Sequence, residues 1–269
     1  MYIGNTRIGG IGSLSVKNTY DADALAYLTA VEAADGQALE NSVKIAINTF
    51  VVGCKADGIW DAIVASCIMA GARSVAGAVV PLKGNAPTNN NFVSGDYSRK
   101  LGLLGNDTDK YLATGYNNND TTNFPQNDSH ISCYISTTQT DSNGVLVGGI
   151  SSVGNRLSLH YNSTTSIITR NRSGGASTIT LAPSGFQGNT RNNSANFTRR
   201  FTTTAGISES VVTGTSGTPS IELLGVFASG SATLFSSARM SFYSIGKSLT
   251  LSSLDSRITT LMTTLNALL

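Results

Sequence analysis

Two histidines, three cysteines and the eight carboxylates that follow residue 71 and precede residue 251 are the side chains from which this 269-residue chain could build a reactive centre. His130 and His160 both sit in strand-like runs, and no nucleophile elbow, H-E-x-x-H or G-x-G-x-x-G accompanies them, so each reads as a structural or surface residue rather than a general base. Gly246-Lys247-Ser248 looks like the end of a phosphate loop, but Ser241 stands where the leading glycine is required. Glycoside hydrolysis needs two facing carboxyl groups. Asp96, Asp107, Asp109, Asp120, Asp128, Asp141, Glu209 and Glu222 are available, and nothing in their spacing marks a pair. Asp107 and Asp109, with Asp120 and Asp128 further on, offer oxygens to a calcium ion, against the alternative of ordinary Asn/Asp turn chemistry. Cys54, Cys67 and Cys133 cannot all pair within one chain and lack C-x-x-C spacing, which argues against a zinc cluster. Cys54 and Cys67 lie on apolar stretches and read as buried thiols, with an intermolecular disulfide as the sharper alternative.

Binding chemistry is better represented than catalysis. Net charge is +2, which selects neither nucleic acid nor a membrane surface, yet the charge is unevenly placed. Residues 1–70 carry four basic and seven acidic groups, whereas 142–208 hold six arginines (Arg156, Arg170, Arg172, Arg191, Arg199, Arg200) and no acid. Few aromatic residues interleave with them, which weakens a single-stranded nucleic-acid reading and leaves contact with acidic proteins or anionic glycans, or scattered solvated arginines. A sugar-binding rim needs exposed aromatic or amide groups, and Tyr116, Asn117, Asn118, Asn119, Asn192 and Asn193, together with Arg170, Arg172 and Arg191, are the candidates. The triplets at Asn127, Asn162 and Asn196 follow from composition and require no glycosylation.

These residues must be positioned by a chain with 13% charged residues, 28 glycines and five prolines, a composition that excludes coiled-coil, collagen-like and polyampholyte-disordered classes. No apolar run approaches membrane-spanning length and no secretory signal is readable, so the expectation is a soluble product made in the cytoplasm, without cofactor and without membrane insertion. Residues 1–20 place Ile3, Ile8, Ile11, Leu14 and Val16 among glycines and short polar residues. They predict an extended attachment arm too poor in apolar surface to fold alone. Residues 21–71 turn to helical spacing and predict a three-helix module: one helix after Asp21 or Asp23 closed near Gly36, one carrying Val43, Ile47, Phe50, Val51 and Cys54, and one from Asp57 carrying Trp60, Ile63, Val64, Cys67 and Ile68. Residues 72–250 break into short β-prone runs, among them 131–136, 144–150, 157–161, 166–170, 177–181, 221–227 and 239–245. Runs at this spacing without intervening helices predict an antiparallel jelly-roll sandwich. Residues 251–269 return to helical spacing through Leu251, Leu254, Ile258, Leu261 and Leu265.

Three strings, YDADALAYLTAVEAADGQALENSVKIAINTFVVGCKADGIWDAIVASCIMAGARSVAGAVVPLKG, NFVSGDYSRKLGLLGNDTDKYL and ARMSFYSIGKSLTLSSLDSRITTLM, resemble a family of tailed-bacteriophage virion structural proteins. Members are tail-fibre-like, often with a short N-terminal IGNTRIGGI-type segment, a helical linker and a concanavalin-like or laminin-G-like jelly roll. The resemblance covers most of the chain and is most specific in FVVGCKADGIWDAI; it brings no catalytic motif, so no catalytic residue is carried over. It implies a virion location, with other virion proteins as partners (baseplate, tail or capsid subunits), and a homo-oligomer, a trimer by analogy.

Two non-enzymatic functions follow. The first is a tail-fibre or baseplate-attached protein whose arm and helices anchor it while the sandwich meets the host surface and its glycans. The second is a capsid decoration, cement or head-fibre protein built on the same fold. A glycan depolymerase working through the carboxylates is the minor alternative.

Overall fold

In the computed structural model, residues 19–139, 143–149, 156–173, 177–180, 184–202, 204–210, 220–228 and 231–269 are described. The arm residues Ile3, Ile8, Ile11, Leu14 and Val16 lie outside them. The first two helices form where the spacing predicts. In α1 (Ala22–Asp35) the Asp21 carboxylate accepts from the Asp23 N–H at 3.0 Å, and Gly36 closes the helix at φ 64°, a left-handed value that glycine adopts without a Cβ clash. In α2 (Asn41–Ala56) Val43, Ile47, Phe50, Val51 and Cys54 form one buried stripe.

The third helix is not where the spacing puts it. Residues Trp60–Ala62 make a single 3-10 turn and Ile63–Ile68 are a strand, β1, followed by a four-residue helix α3 (Val75–Ala78). The reason is burial on both faces. Ile63 and Ile68 pack among the helices while Ala65 and Cys67 pack inside the sandwich, and a continuous apolar run of this kind has no period that separates strand from helix.

The remaining strands are β2 (Thr88–Asn90), β3 (Tyr97–Ser98), β4 (Gly102–Leu104), β5 (Tyr111–Asn117), β6 (Ser129–Thr137), β7 (Val145–Gly149), β8 (Arg156–Ser163), β9 (Ser166–Ser173), β10 (Ser177–Thr180), β11 (Gly185–Arg191), β12 (Asn196–Phe201), β13 (Thr204–Ser210), β14 (Ser220–Leu223), β15 (Val226–Ala228), β16 (Ser231–Thr233) and β17 (Arg239–Gly246). The expected 221–227 run divides between β14 and β15 at Leu224, which takes φ 59°. Two large antiparallel sheets result, β13-β12-β11-β6-β17-β4-β3 with β1 added to β17 and β10-β9-β8-β7-β14-β5-β2, beside a two-stranded β15-β16 ribbon. The second sheet is open at both ends and neither sheet closes into a barrel.

Three layers follow. Leu103, Leu112, Ile131, Ile135, Leu159, Ile221 and Tyr243 fill the space between the sheets. On the outer face of the first sheet, Phe186 and Phe242 meet Phe50 and the apolar stripes of α1, α2 and α4 (Leu251–Leu268), the last predicted correctly from its leucine spacing. At about 25 cal/mol per Å² of apolar area, each fully buried Leu, Ile or Phe here contributes roughly 1.5–3 kcal/mol. Charged latches tie the layers at their edges. Glu40 accepts from Arg99 at 3.1 and 2.7 Å and from Arg73 at 3.0 Å, and these guanidiniums, Arg99 first, hold its carboxyl down to about 2. Arg200 of β12 reaches Asp255 of α4 at 2.7 Å.

Candidate functional site

The sandwich interior is polar at one end. Asn171 of β9 donates to Asn189 Oδ1 of β11 at 2.9 Å and to the Ser129 carbonyl at 3.2 Å, while Ser129 Oγ donates back to Asn171 Oδ1 at 2.8 Å. Asn189 in turn donates to the Arg170 carbonyl at 3.1 Å. These fully buried amides bridge the two sheets, which fixes their relative register where aliphatic packing alone would tolerate slippage.

Two guanidiniums continue this network to the surface. Arg172, 1% exposed, donates to the Asp120 carbonyl at 3.0 Å. Arg191, also 1% exposed, donates through Nη1 to the Arg172 and Asn171 carbonyls at 2.8 and 3.2 Å and through Nε to the Asn193 carbonyl at 2.9 Å. Burial pushes Arg172 down to about 10, still above neutral pH, so it keeps its charge. Arg172 also holds φ 46°, a backbone conformation that costs about 1–2 kcal/mol in a residue with a Cβ. The surrounding bonds maintain it.

The result is a rim in which two turns are clamped side by side. Residues 118–124 form one turn. Asp120 accepts from the Thr122 and Asn123 N–H groups at 2.9 Å each, and Asn123 Nδ2 donates to it at 2.7 Å. Residues 192–195 form the other, closed by Asn193 Oδ1 accepting from the Ala195 and Asn196 N–H groups at 2.9 Å each. Asn117, Asn119 and Asn192 project into solvent from this rim.

The expected surface set is thereby divided. Asn117, Asn119, Asn192 and Asn193 are exposed. Asn118, Arg172 and Arg191 are buried, and Arg170 is half-buried, so the first three are corrected from contact residues to supports. Tyr116 is half-buried, its ring in a T-shaped contact with buried Phe124 at 5.5 Å between centroids. Nor do the arginines form a basic field: Arg199 pairs with Glu209 at 2.6 Å and Arg200 with Asp255, acids that lie outside the 142–208 window.

The other reactive candidates are committed locally. Asp109 accepts from Asn106 Nδ2 at 2.7 Å and Asn91 Nδ2 at 3.2 Å, and Asn106 Oδ1 accepts from the Thr108, Asp109 and Lys110 N–H groups, so the Asp107–Asp109 segment is an Asn-closed turn. No cluster of three potential metal ligands occurs among the described residues. Asp96 pairs with Lys110, and Asp128 accepts from the Ser248 N–H and hydroxyl. His130 contacts Ser244 Oγ through Nε2 at 2.7 Å, but it is fully buried and burial pushes it down to about 4. Cys54 and Cys67 are free and fully buried, each thiol pushed up to about 12 by burial, and Cys133 is raised further; this fold presents no thiolate of Cys54 or Cys67 to a neighbour.

Glu222, one of the eight carboxylates that no spacing marks, has an environment unlike the others. It is 2% exposed in the middle of the second sheet, opposite Gly148 on β7 and Ala113 on β5, with Ser220 Oγ donating to Oε1 and no hydrogen-bond partner at Oε2 among the described residues. Burial raises it to about 7, the serine bond opposing. Its signal in the sequence is a single acid inside the otherwise apolar run Ile221–Leu224. The inter-sheet amides Asn171 and Asn189 carried no such signal, since asparagine is everywhere in this chain.

No protein-family model matches the chain, and no curated protein matches it. Among solved structures, the binding domain of botulinum neurotoxin serotype D is similar at a TM-score of 0.52 and 11% identity, over 77% of this chain and 52% of the toxin domain. The NanB sialidase from Streptococcus pneumoniae is similar at a TM-score of 0.39 and 12% identity, over 48% of this chain and 23% of that one. The chain thus spans about half of the toxin domain's length and about a quarter of the sialidase's. At such identity the likeness to the toxin domain concerns architecture alone, and it matches the two-sheet antiparallel sandwich described above.

Proposed function

We propose that this chain is a non-enzymatic structural component of a tailed-bacteriophage virion, tail-fibre-like, whose sandwich holds the Asn117–Asn119 and Asn192–Asn193 rim against glycans of the host surface while the arm and helical layer attach it to other virion proteins. The observation that carries this reading is the pair of buried guanidiniums behind the rim. A sandwich does not need two desolvated arginines for stability, and burying them is costly: Arg172 Nε has no hydrogen-bond partner among the described residues. Here they fix two solvent-facing turns relative to each other, which lowers the ordering cost of binding at that surface. Planar amides supply paired donors and acceptors of the kind that sugar hydroxyls accept. Support from architecture is consistent, since the serotype D neurotoxin region of similar fold is itself described as a binding domain.

The test has two arms. Asn117→Ala, Asn119→Ala and Asn192→Ala combined should reduce retention of the purified protein on host-surface polysaccharide at least tenfold with an unchanged melting temperature. Equal retention by variant and parent removes the rim from the proposal. Immunogold labelling of particles with an antibody against residues 115–235 should mark the tail, whereas label over the head returns the decoration reading.

A further inference from the structure

Where the last turns of α4 pass the Gly185 end of β11, an open groove of about 340 Å³ remains between helix and first sheet, a volume in the range of small-ligand clefts. Tyr134 of β6 and Met262 of α4 supply its apolar surface, the tyrosine half-buried and the methionine 5% exposed. The polar groups around them are unevenly equipped. Ser136 Oγ donates its single hydrogen to the Leu101 carbonyl at 2.5 Å, and Thr202 Oγ1 donates to the Phe186 carbonyl at 3.1 Å. With those protons spent on backbone, both oxygens have only lone pairs left to offer a ligand. Donors come from the exposed amide of Asn266 and the exposed ammonium of Lys100. Among the described residues no carboxylate lines the groove, and none pairs with Lys100.

We propose that this groove between α4 and the first sheet is a binding site for a sugar residue that carries a carboxylate. The lining discriminates among ligand classes. Phosphate and nucleic-acid backbones present mainly acceptors, which leave the lone pairs of Ser136 and Thr202 unmatched, and a neutral sugar leaves Lys100 unused. A carboxylated pyranose brings hydroxyl donors for the two oxygens, a negative charge for the lysine, and a C–H face for Tyr134 and Met262. The site is separate from the Asn117–Asn119 and Asn192–Asn193 rim. β11 runs between the two, from Gly185 at the groove to Arg191 behind the rim, about 20 Å at strand rise. The proposal shares with the function proposed above only the choice of glycan as ligand class, and its test reads the two sites apart.

Full-length protein labelled with nitrogen-15 is titrated with methyl glucuronide, methyl glucoside and inorganic phosphate while amide shifts are followed. Methyl glucuronide should shift the amides of Ser136, Thr202 and Asn266 with a Kd of about 10 mM or tighter, about threefold below that of methyl glucoside, the gain expected of one exposed ion pair. Lys100→Met, at an exposed position, should bring the two sugars to equal affinity. Thr263→Trp, on the exposed face of α4 that lines the groove, should fill it and abolish the shifts, with the melting temperature of both variants unchanged. The combined Asn117→Ala, Asn119→Ala and Asn192→Ala variant should titrate like the parent; a loss of the shifts there would give the sugar to the rim and overturn the proposal. Absence of shifts at the three amides, equal affinity of the parent for both sugars, a preference that survives Lys100→Met, or phosphate binding as tight as glucuronide overturns it as well.

Discussion

Glu222 is a carboxyl group supported by one hydroxyl, and its protonation is coupled to the fold. Raised to about 7 from an ordinary 4.5, it binds its proton more tightly folded than unfolded. Stability from this group is complete below about pH 4.5 and is lost as pH rises through 7, by about 3 kcal/mol at most. His130 works in the opposite sense. Pushed down to about 4, it contributes stability that is complete above about 6.5 and lost as pH falls toward 4. Glu222→Gln is therefore expected to stabilise the protein by about 1–3 kcal/mol at pH 8 and to change little at pH 4.5, as read by urea unfolding at both values. In that variant the acid limb belonging to His130 should stand out, because the opposing carboxyl is gone. Arg191 gives the converse case. Arg191→Met strips donors from the buried Asn171 and Arg172 carbonyls and from the Asn193 carbonyl at the rim, and should cost about 3 kcal/mol. Residue types alone ranked the arginines as surface contacts. The acceptors of Arg172 and Arg191 are backbone carbonyls, of Asp120 for the first and of Asn171, Arg172 and Asn193 for the second, and carbonyls have no residue code.

At the scale of elements, legibility followed burial. The strands whose apolar residues alternate or cluster between turn residues, such as β6, β8 and β17, cover the expected windows and run one to two residues past them, and α1, α2 and α4, each with one wet face, form where expected. The sequence misled at β1, where Ile63, Val64, Cys67 and Ile68 happen to repeat at three and four residues while both faces are covered. β11 and β12 were passed over for the opposite reason: GFQGNTR and NFTRRF carry too little apolar surface to announce a strand, and their neighbours β6 and α4 supply the burial. Two substitutions probe these elements. Ile68→Ala opens a cavity in the helical core and should cost about 2–4 kcal/mol. Gly102→Ala should cost more than about 2 kcal/mol, because Gly102 holds φ 87° and a Cβ there would collide with the Met240 carbonyl of β17. Chemical unfolding of each variant gives the values.

Across the whole molecule, one hydrophobic cluster draws side chains from α1, α2, β1, β11, β17 and α4. Helices and first sheet therefore have no separate cores to lose one at a time. Calorimetry on the protein should show a single transition, and Leu254→Ala in α4 should lower it for the sandwich and the helices together. Two unequal transitions would mean that the helical layer unfolds on its own. The change in composition near residue 72 is plain in the sequence, but the side chains that cross it are legible only when β1 is placed beside β17.

That pairing also sets a timetable for synthesis. Ile63 lies opposite Gly246 and Ile68 opposite Phe242, so the strand that seats the early helices finds its partner about 180 residues later. At elongation rates of about 5–20 residues per second, α1 and α2 wait on the order of ten seconds or more with their apolar stripes unfinished. Folding of the helical layer consequently waits for β17: ribosome-stalled fragments ending before residue 239 should remain protease-sensitive through α2, and fragments that carry β17 and α4 clear of the ribosome should contain a resistant core.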